Sequence, residues 1–282
     1  MNLCFDPAQA AGYKSRAQIV RVLSEHWLKT HIPCIHCGRA LQKTENNSRV
    51  KDFICPHCHE NYELKSKNGL SIGAKVPDGA YRTMIERIQA ADNPGFFFLA
   101  YRRRDYRVQQ LVLVPKHFVT AAMIVPRRKM LKGRKDYLMC DMNLGGLPES
   151  GKIRLIEKEQ VIDPAIVQKQ WQAHLYLRGQ KAEKKSWLLA IMRCLDLLPA
   201  QFTLAQVYAF AETLHRQFPA NQHIEAKIRQ QLQILRAQNI IEFIARGQYR
   251  KILSVGCHYL FNTIPLKWLG LPDGKEITTA QS

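Results

Sequence analysis

Two carboxylates and an ammonium fall close together in this chain: Asp52, then Glu63 and Lys65 separated by Leu64. Side chains alternate along a β-strand, so Glu63 and Lys65 project from one face while Leu64 packs on the other. If the strand predicted at Arg49–Cys55 pairs with one at Asn61–Lys67, Asp52 approaches Glu63 across the hairpin. Converging carboxylates suit a hard divalent cation such as magnesium, for which oxygen ligands and retained waters are the rule. Asp52 and Glu63 are the candidate ligands, with the backbone carbonyl of Leu64 as one more oxygen. An ammonium beside them orients or acidifies a water and stabilises charge on an attacked phosphate. The chemistry expected of Asp52, Glu63 and Lys65 is therefore metal-assisted hydrolysis of a phosphate ester. Glu25, on a predicted N-terminal helix, is a further candidate carboxylate. Glu-x-Lys on a surface strand is common by chance, so the setting of the tripeptide carries the weight.

That setting is a set of cysteines. Cys34, Cys37, Cys55 and Cys58 form two CxxC pairs with 17 residues between them, the spacing of a four-thiolate zinc site. Two disulfides are the alternative in an oxidising compartment, and a redox CxxC would not need a twin. Cys55 and Cys58 lie between Asp52 and Glu63, so the second knuckle is the turn joining the two acid-bearing strands. A metal clip there pins the register that a one-residue slip would destroy. His31, His36, His57 and His59 crowd the knuckles and are read as neighbours rather than ligands. Cys4, Cys140, Cys194 and Cys257 have no paired spacing and read as ordinary buried thiols.

The elements that must position these groups follow from periodicity. The first thirty residues read as helix, with Ile19, Val20, Val22, Leu23, Trp27 and Leu28 on one face. A polar loop is predicted at Gln42–Ser48, a helix at Gly79–Ala90, and buried strands at Phe96–Tyr101 and Leu111–Val114. From Ala121 to Leu144 the period fades, and Arg127, Arg128, Lys129, Lys132, Arg134 and Lys135 fall within nine positions. The polar stretch Gly179–Lys185 reads as a linker. Beyond it come helices at Ser186–Leu198, Leu204–Arg216 and His223–Gln238, the second opened by a Thr203/Gln206 capping box. Strands at Ile240–Ile244 and Gln248–Leu253 flank the turn Arg246–Gly247. Helix, helix, helix, hairpin is the order of a winged helix-turn-helix, whose third helix enters the major groove while the hairpin grips backbone.

Charge supplies a partner class. Lys plus Arg is 42 and Asp plus Glu is 23, a formal +19, and such a field attracts polyanions. Glu183–Lys251 alone holds ten Lys or Arg against five Asp or Glu. Candidate DNA contacts are Arg134 and Lys135 in the basic run. On the predicted recognition helix they are His223, Lys227, Arg229 and Gln230, and on the hairpin Arg246, Tyr249 and Arg250. At 46% hydrophobic residues the chain can bury a core, which excludes a disordered basic tail. No apolar run is long enough to span a bilayer and no signal pattern opens the chain, so a cytoplasmic protein is expected.

Asp52 with Glu63-Leu64-Lys65 is the PD-(D/E)xK nuclease constellation, with Lys51 where the motif has proline. Several further runs carry a more specific likeness: Asp52–Cys55, Glu63-Leu64-Lys65-Ser66-Lys67, Asp78-Gly79-Ala80-Tyr81, Asn93–Leu99, Pro115–Thr120, Lys227–Arg236 and Gly247–Lys251. In these, agreeing in order to about Leu253, the chain resembles the DpnI-like methyl-directed restriction endonucleases. The resemblance implies an α/β architecture: a PD-(D/E)xK catalytic domain with structural Zn2+ over residues 1–180, then a winged-helix DNA-binding domain over 186–253. Residues 254–282 have no counterpart in it. It implies cleavage of double-stranded DNA at GATC when the adenines carry N6-methyl groups, with both domains reading the modified site; a monomer is expected, with one site acting twice or a transient pair both open for cutting the two strands. Asp52, Glu63 and Lys65 match the family's catalytic positions, and the four cysteines its zinc ligands. Tyr137 stands where the family has a tryptophan near its methyl-reading surface. A non-catalytic methyl-DNA regulator and a structure-specific repair nuclease are the alternatives to be separated by digestion assays.

Overall fold

The computed structural model describes residues 1–44, 51–90, 92–127 and 137–252. In chain order its first part runs α1 (Arg16–His31), β1 (Gln42–Lys43), β2 (Phe53–Ile54), β3 (Asn61–Asn68), β4 (Lys75–Ala80), α2 (Tyr81–Gln89), β5 (Gly95–Arg102), β6 (Arg107–Val114), β7 (Ile124–Pro126), β8 (Met139–Asn143), β9 (Ile153–Glu157), β10 (Gln160–Val161) and α3 (Pro164–Ala173). A seven-stranded sheet in the order β1-β2-β3-β5-β6-β9-β10 forms the centre, and β4-β8-β7 form a separate three-stranded sheet. β3 and β5 are parallel, joined by a crossover that contains β4 and α2. The other neighbours in the large sheet are antiparallel.

β5 shows why the large sheet is covered on both sides. Every residue from Gly95 to Tyr101 is buried, and alternation splits the run between two cores. Phe96, Phe98 and Ala100 join one buried cluster with Met84, Ile88 and Met142. Phe97, Leu99 and Tyr101 join another with Leu23, Trp27 and Leu28 of α1 and Val167 and Trp171 of α3. Helix α1 therefore covers one face, while α2 and the smaller sheet cover the other. The N-terminal helix begins later than the periodicity predicts: Pro7–Ala10 is a short 3-10 turn and Cys4 bridges Arg107 before Arg16 opens α1.

The second part runs α4 (Ala182–Asp196), β11 (Gln201–Thr203), α5 (Leu204–Tyr208), α6 (Ala211–Gln217), α7 (Ile224–Ala237), β12 (Ile241–Ala245) and β13 (Gln248–Lys251). β11, β13 and β12 make a three-stranded antiparallel wing. The Thr203/Gln206 capping box forms, with Gln206 Oε1 accepting from the Thr203 amide at 2.7 Å. The single helix expected over Leu204–Arg216 is two helices, because Phe210 leaves helical geometry (φ −87°, ψ 3°) between them. Val207 and Leu214 remain buried on either side of the break.

The predicted linker is shorter than its polar composition implied. Lys181 already caps α4, and Trp187, Leu188, Ile191 and Leu195 join the same buried cluster as Phe96 and Phe98. Asp196 at the end of α4 accepts from the Glu149 amide at 2.8 Å, and Arg193 donates to the Gly145 carbonyl. Met1–Ile252 is one compact unit. No helix of the described residues is long and apolar enough to cross a membrane.

Candidate active site

β2 pairs antiparallel with β3, Phe53 opposite Tyr62 and Ile54 opposite Asn61. Just before β2, the Asp52 amide donates to the Tyr62 carbonyl at 3.0 Å. β2 begins at Phe53, while β3 continues to Asn68, and among the described residues no strand pairs with β3 on that side beyond Tyr62. Two residues along, the Leu64 amide donates to Asp52 Oδ2 at 2.8 Å. The N–H and C=O of one strand residue point the same way, so the Leu64 carbonyl also faces the Asp52 edge. Asp52 thus meets the Leu64 amide, two residues along β3 from its backbone partner Tyr62.

Glu63 and Lys65 take the other direction. They pair with Phe96 and Phe98 of β5 and so share the face covered by α2 and β4, while Leu64 pairs with Phe97 and packs into the α1 side. Lys65 Nζ lies 2.6 Å from Glu63 Oε1. Two residues that periodicity did not assign complete the cluster. Asp78, on β4, holds Lys65 Nζ at 2.7 Å through Oδ1, and Arg87, on α2, places Nε 3.8 Å from Glu63 Oε2. Arg87 had a readable signal: it shares the buried face of α2 with Met84 and Ile88, where a cation is out of place. Asp78 heads the Asp78-Gly79-Ala80-Tyr81 run, but its approach to Lys65 depends on the fold.

Burial is the largest single influence on Asp52, Glu63, Lys65 and Arg87. It pushes the Asp52 carboxyl up, against the Leu64 amide that favours its ionised form, and Glu25 adds a like charge that pushes the same way. It raises the Glu63 carboxyl too, against the neighbouring Lys65. Burial opposes the Lys65 charge as well, yet Glu63 and Asp78 together hold its pKa above the ordinary lysine value. Two buried carboxylates resisting ionisation, beside an inward-facing carbonyl, form a donor set that a hard divalent cation satisfies. Glu25 is buried on α1 and ion-paired with Lys43 at 2.7 Å.

The four cysteines converge. Their Sγ atoms all lie within 4.8 Å of one another, with Cys34 3.5 Å from Cys58 and Cys37 3.4 Å from Cys55. Sulfurs about 2.3 Å from a common ion in a tetrahedron stand about 3.8 Å apart, so this cluster can hold a metal ion such as zinc. The two knuckles have the same backbone. Gly38 N donates to Cys34 O at 2.8 Å and His59 N to Cys55 O at 2.9 Å, each in the left-handed region (φ +74° and +59°). Glycine takes that conformation without cost, and histidine is among the residues that tolerate it. Among the described residues no histidine joins the sulfur cluster: His36 Nδ1 accepts from Trp171 Nε1 at 3.1 Å, and His31 stacks on Trp27. Burial pushes the Cys34 thiol up; Cys55 is drawn down to about 7 despite burial, by the Cys58 and His57 amides and by Cys37. Cys140 and Cys194 are buried thiols as expected, Cys4 is half-buried, and Cys257 lies outside the described residues.

Of the candidate DNA contacts, Arg134 and Lys135 lie outside the described residues. Tyr137 is half-buried, and its hydroxyl lies over Gly79, 3.4 Å from where a Cβ would stand. His223, just before α7, and Arg229 and Gln230 on it are exposed, while Lys227 lies half-buried over the Trp187 ring. Arg229 donates to the Tyr208 hydroxyl at 2.6 Å. Arg246 is exposed at the wing turn and Arg250 pairs with Glu242 at 3.0 Å. The Tyr249 ring sits between Phe202 and Phe243, so it is half-buried in the wing rather than projecting from it.

Residues 1–180 match the DpnI, Dam-replacing family, and residues 183–251 match the Dam-replacing HTH domain. The chain belongs to the Dam-replacing family. It is thus a member of a restriction nuclease family that carries a helix-turn-helix DNA-binding domain. In this Dam-replacing member the winged part is α4–β13, and the acid-and-ammonium cluster lies in the region matched by the first family segment.

Proposed function

We propose that the chain is a magnesium-dependent, methylation-directed type II restriction endonuclease. It hydrolyses phosphodiester bonds of double-stranded DNA at GATC sites carrying N6-methyladenine. The observation that supports the chemistry best is the Asp52–Leu64 contact, with Glu63 and Lys65 flanking it on one strand. Asp52, Glu63 and the Leu64 carbonyl would hold Mg2+, which when bound supplies positive charge beside the scissile phosphate. Lys65 orients the attacking water through its ammonium and stabilises the negative charge that grows on the attacked phosphate. Cys34, Cys37, Cys55 and Cys58 hold structural zinc, which keeps Asp52 opposite β3.

DNA binding divides between residues 1–180, the catalytic domain, and 186–253, the winged helix. His223, Lys227, Arg229 and Gln230 face the major groove, and Arg246 and Arg250 face the backbone. Tyr137 offers an aromatic face to a methyl group, which replaces one donor hydrogen of the adenine amino group with an apolar bump. Burying that methyl contributes about 0.8 kcal/mol on the transfer scale, so one contact discriminates weakly and a methyl on each strand compounds it. The enzyme works as a monomer in the cytoplasm of a cell whose own GATC sites lack adenine methylation.

Digestion of matched unmethylated, hemimethylated and fully methylated duplexes, with and without magnesium, tests this reading. Fully methylated duplex is cut and unmethylated duplex is not. Equal cutting of all three removes the methyl specificity and leaves the nuclease. Cutting governed by DNA shape indicates a repair nuclease, and binding without any cutting a regulator.

A further inference from the structure

Lys65 is held from two sides, and the two holders differ in kind. Glu63, 2.6 Å away, is on the same strand and is itself a candidate metal ligand. Asp78, 2.7 Å away, reaches in from the β4-β8-β7 sheet. Its placement is over-determined. The β4–β8 register shifts between Asp78 and Ala80, Asp78 Oδ1 also accepts from the Gly79 amide at 2.7 Å, and the Cys140 thiol donates to the Gly79 carbonyl at 3.5 Å. Val76 and Met142, buried in the same sheet, anchor the strand pair.

Two observations give Asp78 more than a packing role. Its side chain is only 9% exposed, and its second oxygen, Oδ2, is buried with no hydrogen-bond partner. A buried carboxylate oxygen without a protein donor is costly unless a water or a bound group meets it. The second observation is arithmetic of charge. A divalent cation on Glu63 and an ammonium 2.6 Å from Glu63 Oε1 repel each other, so a cation there weakens the hold of Glu63 on Lys65. When Glu63 serves the cation, Asp78 is the anion that keeps the Lys65 ammonium in place.

We propose that Asp78 is a positioning residue of the hydrolytic site: it holds the Lys65 ammonium through Oδ1, leaves Glu63 free for the metal, and offers Oδ2 to the water beside Lys65. The proposal rests on the nuclease reading. It assigns Asp78 no contact with the metal and none with DNA, so its loss slows the chemical step alone.

Asp78→Asn keeps the shape of the side chain and an oxygen for the Gly79 amide but removes the charge. The full-length wild type, Asp78→Asn and Asp52→Ala are compared on a fully methylated GATC duplex. Four quantities are read: single-turnover rate at saturating magnesium, magnesium half-saturation, DNA affinity in calcium, and the 15N–1H signal of the Lys65 ammonium in the metal-free protein. A firmly held ammonium exchanges slowly and gives a sharp signal, assigned by its loss in Lys65→Met. The expected result for Asp78→Asn is a rate roughly 10- to 100-fold lower, with magnesium half-saturation and DNA affinity within about twofold of wild type. Its Lys65 signal broadens. A rate within about twofold of wild type, a loss that excess magnesium restores, a matching fall in DNA affinity, or an unchanged ammonium signal each overturns the proposal. A wild type that does not cut sinks the nuclease reading and the role of Asp78 with it. A wild type that cuts beside an equally fast Asp78→Asn sinks the role alone.

Discussion

In the proposed reaction Lys65 and the two acids beside it would divide the work by where their charges are needed. Asp52 and Glu63 are both pushed up by burial, so a cation that satisfies them gains from relieving that strain. Asp52→Ala or Lys65→Ala is therefore expected to lower cleavage by at least about 100-fold while leaving DNA affinity in calcium unchanged. Parallel cleavage and binding assays check it, and full activity in either variant removes that residue from the site. A second titratable residue matters for stability. His117 is 2% exposed, neither ring nitrogen has a hydrogen-bond partner, and burial with nearby Arg178 drives its pKa down to about 3. The unfolded chain takes up that proton near the ordinary histidine value, about 6.5, and the folded chain does not. Above about pH 6.5 the folded state carries no penalty, and it loses stability as the pH falls from there toward 3. Denaturant melts of His117→Leu from pH 7 to 4 should fall less steeply than those of the wild type. Equal slopes would show that His117 is not buried neutral.

At the scale of elements, the decisive unit is the β2–β3 hairpin with the second cysteine knuckle as its turn. Its register sets Asp52 on the Leu64 amide, and a slip by one residue would turn Glu63 and Lys65 to the α1 side. The first knuckle is tied down elsewhere: His36 accepts from Trp171, and Arg178 stacks over that indole at 5.1 Å while pairing with Glu60 at 2.9 Å. Both knuckles thereby brace the hairpin against α3 and the segment after it. Cys55→Ser is expected to lower bound zinc from about one ion per chain, reduce the melting temperature, and cut cleavage with Asp52, Glu63 and Lys65 all present. Metal analysis with calorimetry checks this, and unchanged zinc content would take Cys55 out of the ligand set. In the winged part, Thr203→Ala removes one side of the capping box and should cost about 1 kcal/mol, read from denaturant midpoints.

Across the whole molecule, a formal charge of +19 predicts binding dominated by phosphate neutralisation. With about six to ten phosphate contacts, DNA affinity should fall about 1,000- to 100,000-fold between 50 and 200 mM salt. Titrations at several salt concentrations give the slope, and a flat response would contradict a backbone-gripping mode. The chain also joins its two matched segments through one buried cluster, in which Trp187, Leu188 and Ile191 of α4 accompany Phe96 and Phe98 of the seven-stranded sheet. Severing the chain near residue 181 should therefore expose apolar surface on both pieces and lower the thermal stability of residues 1–180. Scanning calorimetry of that fragment against the full chain measures the loss.

The cysteine spacing, the alternation around Leu64 and the helical periods are local, short-range patterns, and each was legible in the residues alone. They sufficed for the knuckles, the strand that carries Glu63 and Lys65, and a helical run closed by the β12–β13 hairpin, but not for β11 or for the division into α5 and α6. What required tertiary structure were contacts made by residues distant in sequence. Asp78 reaches Lys65 only because β4 belongs to a second sheet packed over the first, and Arg87 reaches Glu63 only because α2 lies on that same face. The break at Phe210 and the start of α4 at Ala182 were missed for the same reason: packing against neighbours outweighed local propensity and polar composition. Periodicity tells which way a side chain points, and only the packed chain decides what stands there to meet it.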